Sequence, residues 1–476
     1  MNKFFSRRVI AVLSLIVIII VVCINFSVLN YFFFQDDFFH LNISKAHTLK
    51  EFLSFFEFRR DIIQYRPITM QLYFYINFLL FGFNTLGFRI ENLAFLFGSY
   101  FLILKVIERI LQDKFVAFLT ATFWVLSSVY FMSIVWIGAA WLFVGTFFWL
   151  LTSLFFLNFQ KKKKNIFYTF SIISFLLTIG SFEFSVTWPF IFAFYYFYVL
   201  RNTFFKTIRI FAPFFLLVSI YLILRMFFIK APEILEYKMS FDFVSIKTLF
   251  WYLLGSFNIP EEFKKQIVNH LLLFNPKFFS EYWASVFKTF ISGFLVFLLA
   301  ILIPIIQIFR KHLKANFRII AFSIFWFLTG ISPVLFLPNH YFVMYLILPS
   351  VGIYFLMAYL LSSFGKKIFI IPTLIIWFFS SYNTISFYKI NSYQIEAQKF
   401  ARTFYTEIKN EFPNLPKNSI VYYPLESSQK QLALENQEAI KAIYNDSSLS
   451  IYYNKEDLLS SLKKGNTGKV YIYFPK

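Results

Sequence analysis

The feature that most constrains this chain is the apolar run at residues 9–32, with Arg7 and Arg8 before it and Asp36 and Asp37 after it. A helix that crosses a bilayer needs roughly 20 apolar residues. Basic residues flanking only its start (Lys3 adds to them) place that start on the cytoplasmic side. The run is too long for a signal peptide, and no small-residue cleavage site follows before Asp36, so it reads as an uncleaved anchor. Asp36 and Asp37 then emerge on the outer face, and this first crossing sets the sidedness of everything after it.

Ten more segments have the character of spans: 87–108, the two halves of 115–160, the two halves of 166–200, 208–229, 286–309, 319–337, 341–363 and 368–388. The total is about eleven by the length criterion. Threaded this way, Arg109 and Lys114, Lys161 to Lys164, Arg201, Lys206 and Arg209, the cluster of Arg310, Lys311, His312, Lys314 and Arg318, and the pair Lys366 and Lys367 all fall inside. Turns at Trp136-Ile137-Gly138, Gly180-Ser181-Phe182-Glu183 and Pro338-Asn339-His340 fall outside, as do two large loops, 33–86 and 230–285. In the first loop, Leu49 to Phe58 has one apolar face and suits a helix lying in the interface plane. Pro67 then opens a short apolar helix that runs to about Phe81 and is closed by Gly82. A crossing there would invert every later loop, so it reads as a second interfacial helix that does not span.

Composition agrees. The chain is 59% hydrophobic and only 14% charged, whereas soluble domains are about one quarter charged. The net charge of +21 reflects positive-inside bias and attraction to anionic headgroups rather than nucleic acid, because the Lys and Arg sit in short inter-helix loops. Cys23, the single cysteine, lies inside the first run and has no intramolecular disulfide partner. Residues 389–476 are different material, with ordinary charge density and prolines at 413, 416 and 424. A helix at about 391–411, strands at Ser419–Leu425, Leu449–Tyr453 and Lys469–Phe474, and helices at Glu435–Tyr444 and Lys455–Lys464 predict a small parallel or mixed sheet. The expected fold is an all-α polytopic membrane domain over 1–388 with a small extracytoplasmic α/β domain over 389–476.

Threading also gathers the ionisable residues. Asp36, Asp37, His40, Arg66, Glu183 and His340 fall on the outer side near helix ends, and Arg225 lies about one turn from the outer end of its span. Ionisable groups at such depth are costly and mark partners or sites. Asp36 and Asp37 are either solvated interface residues or an acid/base pair, one taking a proton from an acceptor hydroxyl while the other orients it or binds a divalent cation. Arg66 and Arg225 either snorkel toward headgroups or clamp a phosphate, whose oxygens match a guanidinium fork. Glu183 either satisfies backbone donors or joins the site. No Cys/His metal spacing, P-loop or dinucleotide fingerprint is present.

One stretch of motifs adds a resemblance. A first span, an Asp-Asp pair opening a large outer loop, Tyr65-Arg66-Pro67-Ile68 before a short apolar helix, and Phe81-Gly82 at its end resemble the GT-C class of membrane glycosyltransferases. Within that class they are most similar to the family of the dolichyl-phosphate-mannose protein mannosyltransferases and aminoarabinose transferases. Phe88-Arg89-Ile90-Glu91-Asn92, Ser181-Phe182-Glu183 and His340-Tyr341 through Pro349 fit the same order; where relatives carry an Arg-Tyr pairing, Val343-Met344-Tyr345 stands instead. The resemblance spans roughly residues 9–390. It implies a sugar donor on a polyprenyl phosphate and an acceptor that is protein, lipid or glycan, with direct displacement that inverts the anomeric centre. It implies Asp37 or Asp36 as general base, Glu183 holding acceptor or metal, and Arg66 and Arg225 on the lipid phosphate. His40, Tyr65, Asn92, His340 and Tyr341 are further substrate-binding candidates. A divalent cation (Mg or Mn) on Asp36, Asp37 and Glu183 could assist. The C-terminal domain would cover the cavity or choose the acceptor. A flippase for lipid-linked glycans would place charges at mid-membrane in repeated halves. A non-catalytic assembly protein would leave the two Asp residues far from Glu183.

Overall fold

The structure, a computed structural model, describes residues 6–60, 62–229, 235–268, 273–311, 316–365, 367–464 and 468–474. Of the basic flanks read above, Lys3, His312, Lys314 and Lys366 lie outside the described residues.

The anchor forms α1 (Arg7–Asn25), started by Ser6, whose hydroxyl accepts the Val9 N–H. The first loop carries α2 (Asp36–Ile43), α3 (Leu49–Ser54) and, after a π-turn at Pro67–Leu72, α4 (Tyr73–Phe81). Helix α3 has a Thr48/Glu51 capping box and leaves Leu49 and Leu53 exposed, as an interfacial helix would. It stops at Ser54 rather than running to Phe58, because Phe55 turns into the core against the Tyr75 ring.

The helical body follows with α5 (Thr85–Leu111), α6 (Lys114–Val125), α7 (Phe131–Val135), α8 (Ala140–Lys162), α9 (Asn165–Ile179), α10 (Trp188–Phe194) and α11 (Phe204–Phe228). Then come α12 (Phe243–Gly255), α13 (Glu262–Lys265), the hairpin of β1 (Ile267–Val268) and β2 (Leu273–Phe274), α14 (Pro276–Phe297) and α15 (Ile303–Arg310). The body closes with α16 (Phe317–Leu335), α17 (Ser350–Ser363) and α18 (Ile370–Asn391).

Each of the eleven expected spans coincides with a helix, but among the described residues only seven are long and apolar enough to cross a bilayer by themselves. Two of the shorter helices are shielded from lipid. Helices α6 and α17 are wrapped by protein, with 12 of 14 residues of α17 buried, and so meet other helices rather than lipid. The lipid-facing belt is instead made by exposed apolar side chains such as Leu15 and Ile19 on α1, Leu216 and Phe227 on α11, and Ile291 and Phe294 on α14.

Two boundaries move. The span expected at 286–309 begins at Pro276, where Asn275 caps the Lys277 N–H, so the second outer loop is shorter than 230–285 and contains the apolar helix α12. The span expected at 341–363 is helical only from Ser350. Residues 338–349 instead run irregularly with a 3-10 turn and are largely buried from Tyr341 on, pinned where the Trp124 indole donates to the Ile347 carbonyl at 2.6 Å and the Val343 N–H donates to Glu261 at 2.7 Å.

Beyond α18, α19 (Tyr393–Glu411) leads into β3 (Ile420–Tyr422), α20 (Ser428–Ala433), α21 (Glu438–Tyr444), β4 (Ser450–Tyr452), α22 (Lys455–Lys463) and β5 (Val470–Ile472). The three strands are all parallel, in the order β4-β3-β5, with Val421 opposite both Ile451 and Tyr471. The chain from β3 to β5 therefore alternates strand and helix as the sequence predicts. Helix α19 packs along the segment after α1: the Gln398 side chain accepts the Phe32 N–H at 3.0 Å, and Tyr405 meets the rings of Phe32 and Phe83.

Candidate active site

The site begins with a close docking of two turns. After Arg66, the Ile68 N–H donates to the Gly180 carbonyl at 2.9 Å and the Thr69 hydroxyl donates to the Ser181 carbonyl at 2.8 Å. Gly180 allows this, since a Cβ there would lie 2.9 Å from the Ile68 side chain. The docking sets Arg66 beside Glu183 at the start of the next 3-10 turn. The Arg66 Nε and Nη2 meet Glu183 Oε2 at 2.9 and 2.8 Å, and the guanidinium lies 3.8 Å from the centre of the Trp141 ring. Arg225, in the last turn of α11, reaches Glu183 Oε1 at 3.5 Å and the Tyr221 hydroxyl at 3.4 Å. Burial pushes the Glu183 carboxyl up, but Arg66 and Arg225 more than offset it and hold it below its ordinary range.

All three side chains sit at the ends of helices opposite to the basic clusters. Helix α8 runs from Trp141 to Lys161 and Lys162, α9 from Asn165 after the lysine run toward Glu183, and α11 from Lys206 to Arg225. The threading read from the loops thus brings the residues to one side.

The adjacent carboxylates have different fates. Asp37 is fully buried; its Oδ2 accepts the Phe34 N–H at 3.0 Å and its Oδ1 the Gly138 N–H at 2.5 Å. Arg89, equally buried, grips the end of α7, just before the Gly138 turn, by its carbonyls, donating to Ile134 at 2.5 Å and to Val135 at 3.2 Å. A Cβ on Gly138 would stand 3.0 Å from Asp37 Oδ1, so glycine is what lets the carboxylate approach. Burial raises the Asp37 carboxyl to about 7 despite these donors.

Asp36 is only half-buried and stands in the field of Arg66, with its carboxyl in hydrogen-bonding reach of Glu435. His40 is buried against Phe74, its Nδ1 has no partner among the described residues, and burial together with the Arg66 charge lowers it to about 3, so the ring is neutral.

Of the other expected residues, His340 belongs to this side. Its Nε2 pairs with the Tyr345 hydroxyl at 2.7 Å, its ring lies 4.6 Å from that of Tyr237, and burial and Arg66 lower its pKa. Tyr65 stacks on Phe58 at 3.8 Å and lies 6.3 Å from the Tyr221 ring, at the edge of the Arg225 contact. A cavity of about 10 Å³ beside Tyr65, Arg66 and Gln71 has room for about one water.

Two of the expected residues are engaged in core contacts. Tyr341 is buried, its hydroxyl donating to the Trp251 carbonyl at 3.0 Å. Asn92 lies in α5 and accepts the Tyr73 hydroxyl at 2.9 Å, a core contact. The cation site does not fit either. Glu183 gives its oxygens to two guanidiniums and Asp37 to two backbone N–H groups, and among the described residues no three His, Cys, Asp or Glu side chains are placed to hold a metal. Trp141, Tyr221, Tyr237, Tyr345 and Glu435 were not among the residues singled out from sequence. In a chain with 29 Tyr and 75 Phe an aromatic carries no signal by itself, and Glu435 lies in a part of the sequence with ordinary charge.

No protein-family model matches the sequence, and no curated protein is similar to it. Among solved structures, the chain is similar to ArnT from Cupriavidus metallidurans in the apo state, with 13% identity and a TM-score of 0.42 over 96% of this chain and 92% of that one. It is likewise similar to ArnT from Cupriavidus metallidurans bound to undecaprenyl phosphate, with 12% identity and a TM-score of 0.41 over 96% of this chain and 89% of that one.

Proposed function

We propose that this multi-pass membrane protein is a glycosyltransferase that moves a sugar from a polyprenyl-phosphate donor to an acceptor hydroxyl on the outer face of the membrane. The observation that carries the reading is the Arg66–Glu183–Arg225 constellation at the ends of apolar helices, with Asp36 in the field of Arg66. Two guanidiniums tied to one carboxylate keep a net positive charge where a lipid phosphate from the outer leaflet would arrive. A phosphate can replace Glu183 on either fork with little rearrangement.

In the reaction, Asp36 takes the proton of the acceptor hydroxyl as its oxygen attacks the anomeric carbon. The bond from that carbon to the phosphate oxygen breaks, and the electron pair leaves with the lipid phosphate. Arg66 and Arg225 stabilise the charge that grows there, and Trp141 fixes the plane of the Arg66 fork. Attack opposite the leaving group inverts the anomeric centre. Of the two adjacent carboxylates Asp36 suits the base, because both oxygens of Asp37 are already taken by backbone donors.

The test is sugar transfer by purified protein in nanodiscs, using a panel of polyprenyl-phosphate sugars with wild type, Asp36→Asn and Asp37→Asn. The expected result is turnover by wild type that Asp36→Asn abolishes. Full activity in Asp36→Asn would remove the assigned base, and no turnover of any donor by folded wild type would remove the reading.

A further inference from the structure

The turn between α20 and α21 has an unusual shape for its residues. Glu435 and Asn436 both adopt left-handed backbone, with φ of 46° and 51°, and neither is glycine. Facing them, Gln35 is also left-handed at φ 51°, immediately before Asp36. Non-glycine residues avoid this region, and consecutive ones persist only where surrounding contacts over-determine them. Here the two segments hold each other. The Gln35 N–H donates to the Ala433 carbonyl at 2.8 Å, and Asn42 on α2 donates to the Glu438 carbonyl at 2.9 Å and to its carboxylate at 2.7 Å. The Tyr453 hydroxyl closes the turn from behind by donating to the Asn436 carbonyl. The outcome is that the Glu435 carboxyl lies against that of Asp36, with its Oε2 buried and otherwise unpartnered.

We propose that Glu435 is a positioning residue for Asp36: protonated, it donates a hydrogen bond to the Asp36 carboxylate and holds it toward Arg66, so that the C-terminal region completes the site. The inference rests on the reading of Asp36 as the proton acceptor. Two carboxyls in contact hold one proton between them, and its place is set by their other neighbours. Asp36 faces the Arg66 cation, which favours its charged form. Among the described residues no cation offsets the charge of Glu435. Around it stand Asp36 from α2, Glu438 from α21 and Tyr393 from α19; Lys441 is paired with Glu438, and Lys45 stands in the fields of Glu438 and Asp446. The proton therefore stays on Glu435, whose carboxyl is raised to about 7 by burial and then by Asp36 and Glu438. An α/β unit that docked elsewhere would leave Asp36 without this donor.

The experiment uses the full-length protein in nanodiscs, with Glu435→Gln, Glu435→Ala, Asp36→Asn and the double variant Asp36→Asn/Glu435→Gln. The first readout is the thermal midpoint from pH 5 to pH 8, which needs no activity. A carboxyl raised on folding stabilises at low pH and loses that contribution as pH rises toward its folded value. Glu435→Gln keeps a donor that does not titrate, so its midpoint should fall less than wild type between pH 5 and 8, and the double variant should differ little from Asp36→Asn. Parallel curves for wild type and Glu435→Gln would overturn the shared hydrogen bond.

The second readout is transfer kinetics. Glu435→Ala should lower kcat about 10- to 100-fold with KM unchanged. Glu435→Gln should restore kcat and remove the alkaline limb of its pH profile. Equal losses in Gln and Ala, or a loss confined to KM, would overturn the positioning role. Absence of turnover in wild type would overturn the transfer reading and the role with it, while the midpoints still decide the contact.

Discussion

Two carboxylate clusters lie within one site and follow opposite electrostatic rules. In the first, Glu183 is half-buried between Arg66 and Arg225, and its carboxyl is held low. In the second, Asp36 meets Glu435 and neighbours Asp37, and all three carboxyls are raised. Burial acts in the same direction on both clusters; the neighbours decide the outcome. The first is a cation pair held together by a shared carboxylate. The second is a crowded set of acids in which one carboxylate stays charged because others hold protons or backbone donors. A transfer reaction needs both, one for the leaving group and one for the acceptor proton.

The largest effect expected in either cluster comes from removing its shared counter-ion. Glu183→Ala leaves two guanidiniums together without a carboxylate, and should cost about 3–5 kcal/mol of stability, measured by reversible denaturation in detergent. An unchanged midpoint would mean that solvent already screens the pair and that the two clusters do not differ in this way. Next, Arg66→Lys keeps the charge but loses the fork and the Trp141 stacking, so transfer should fall about 10²- to 10³-fold with the fold intact; activity near wild type would show that a point charge suffices.

The second cluster separates into structure and chemistry. Asp37→Ala strands the N–H groups of Phe34 and Gly138 and should destabilise by about 1–3 kcal/mol, whereas Asp36→Ala should remove transfer with a smaller change in midpoint. The reverse ranking would exchange the roles of the two residues. The smallest effect concerns His40. Its pKa is lowered on folding, from 6.5 to about 3, so the unfolded chain binds the proton first and stability is lost as pH falls below 6.5. His40→Gln should flatten that acid limb in a scan of thermal midpoint against pH; an unaltered limb would place the loss on other groups.

Much of this was legible from the chain. Apolar length and the sidedness of Lys and Arg placed the spans, because the cost of burying charge in hydrocarbon acts on each segment separately. The same threading put Arg66, Glu183 and Arg225 at one end of their helices, where the structure joins them. What was not legible are the features set by several segments at once. Helix α17 is enclosed by protein and starts only at Ser350, and the Tyr341 hydroxyl is taken by the Trp251 carbonyl.

The sequence by itself determined that this is a helical membrane protein with a small α/β region at its end, and that its rare charges gather at one end of their helices. Those follow from transfer energies and periodicities that are local. Only the tertiary structure decided that Asp37 is a clip on the Gly138 turn while its neighbour Asp36 faces Arg66, and that Glu435, nearly 400 residues away in the chain, meets it. Adjacent residues of one type read alike in a sequence. Which of them is buried against backbone donors and which faces a charge depends on distant segments packing around a single turn.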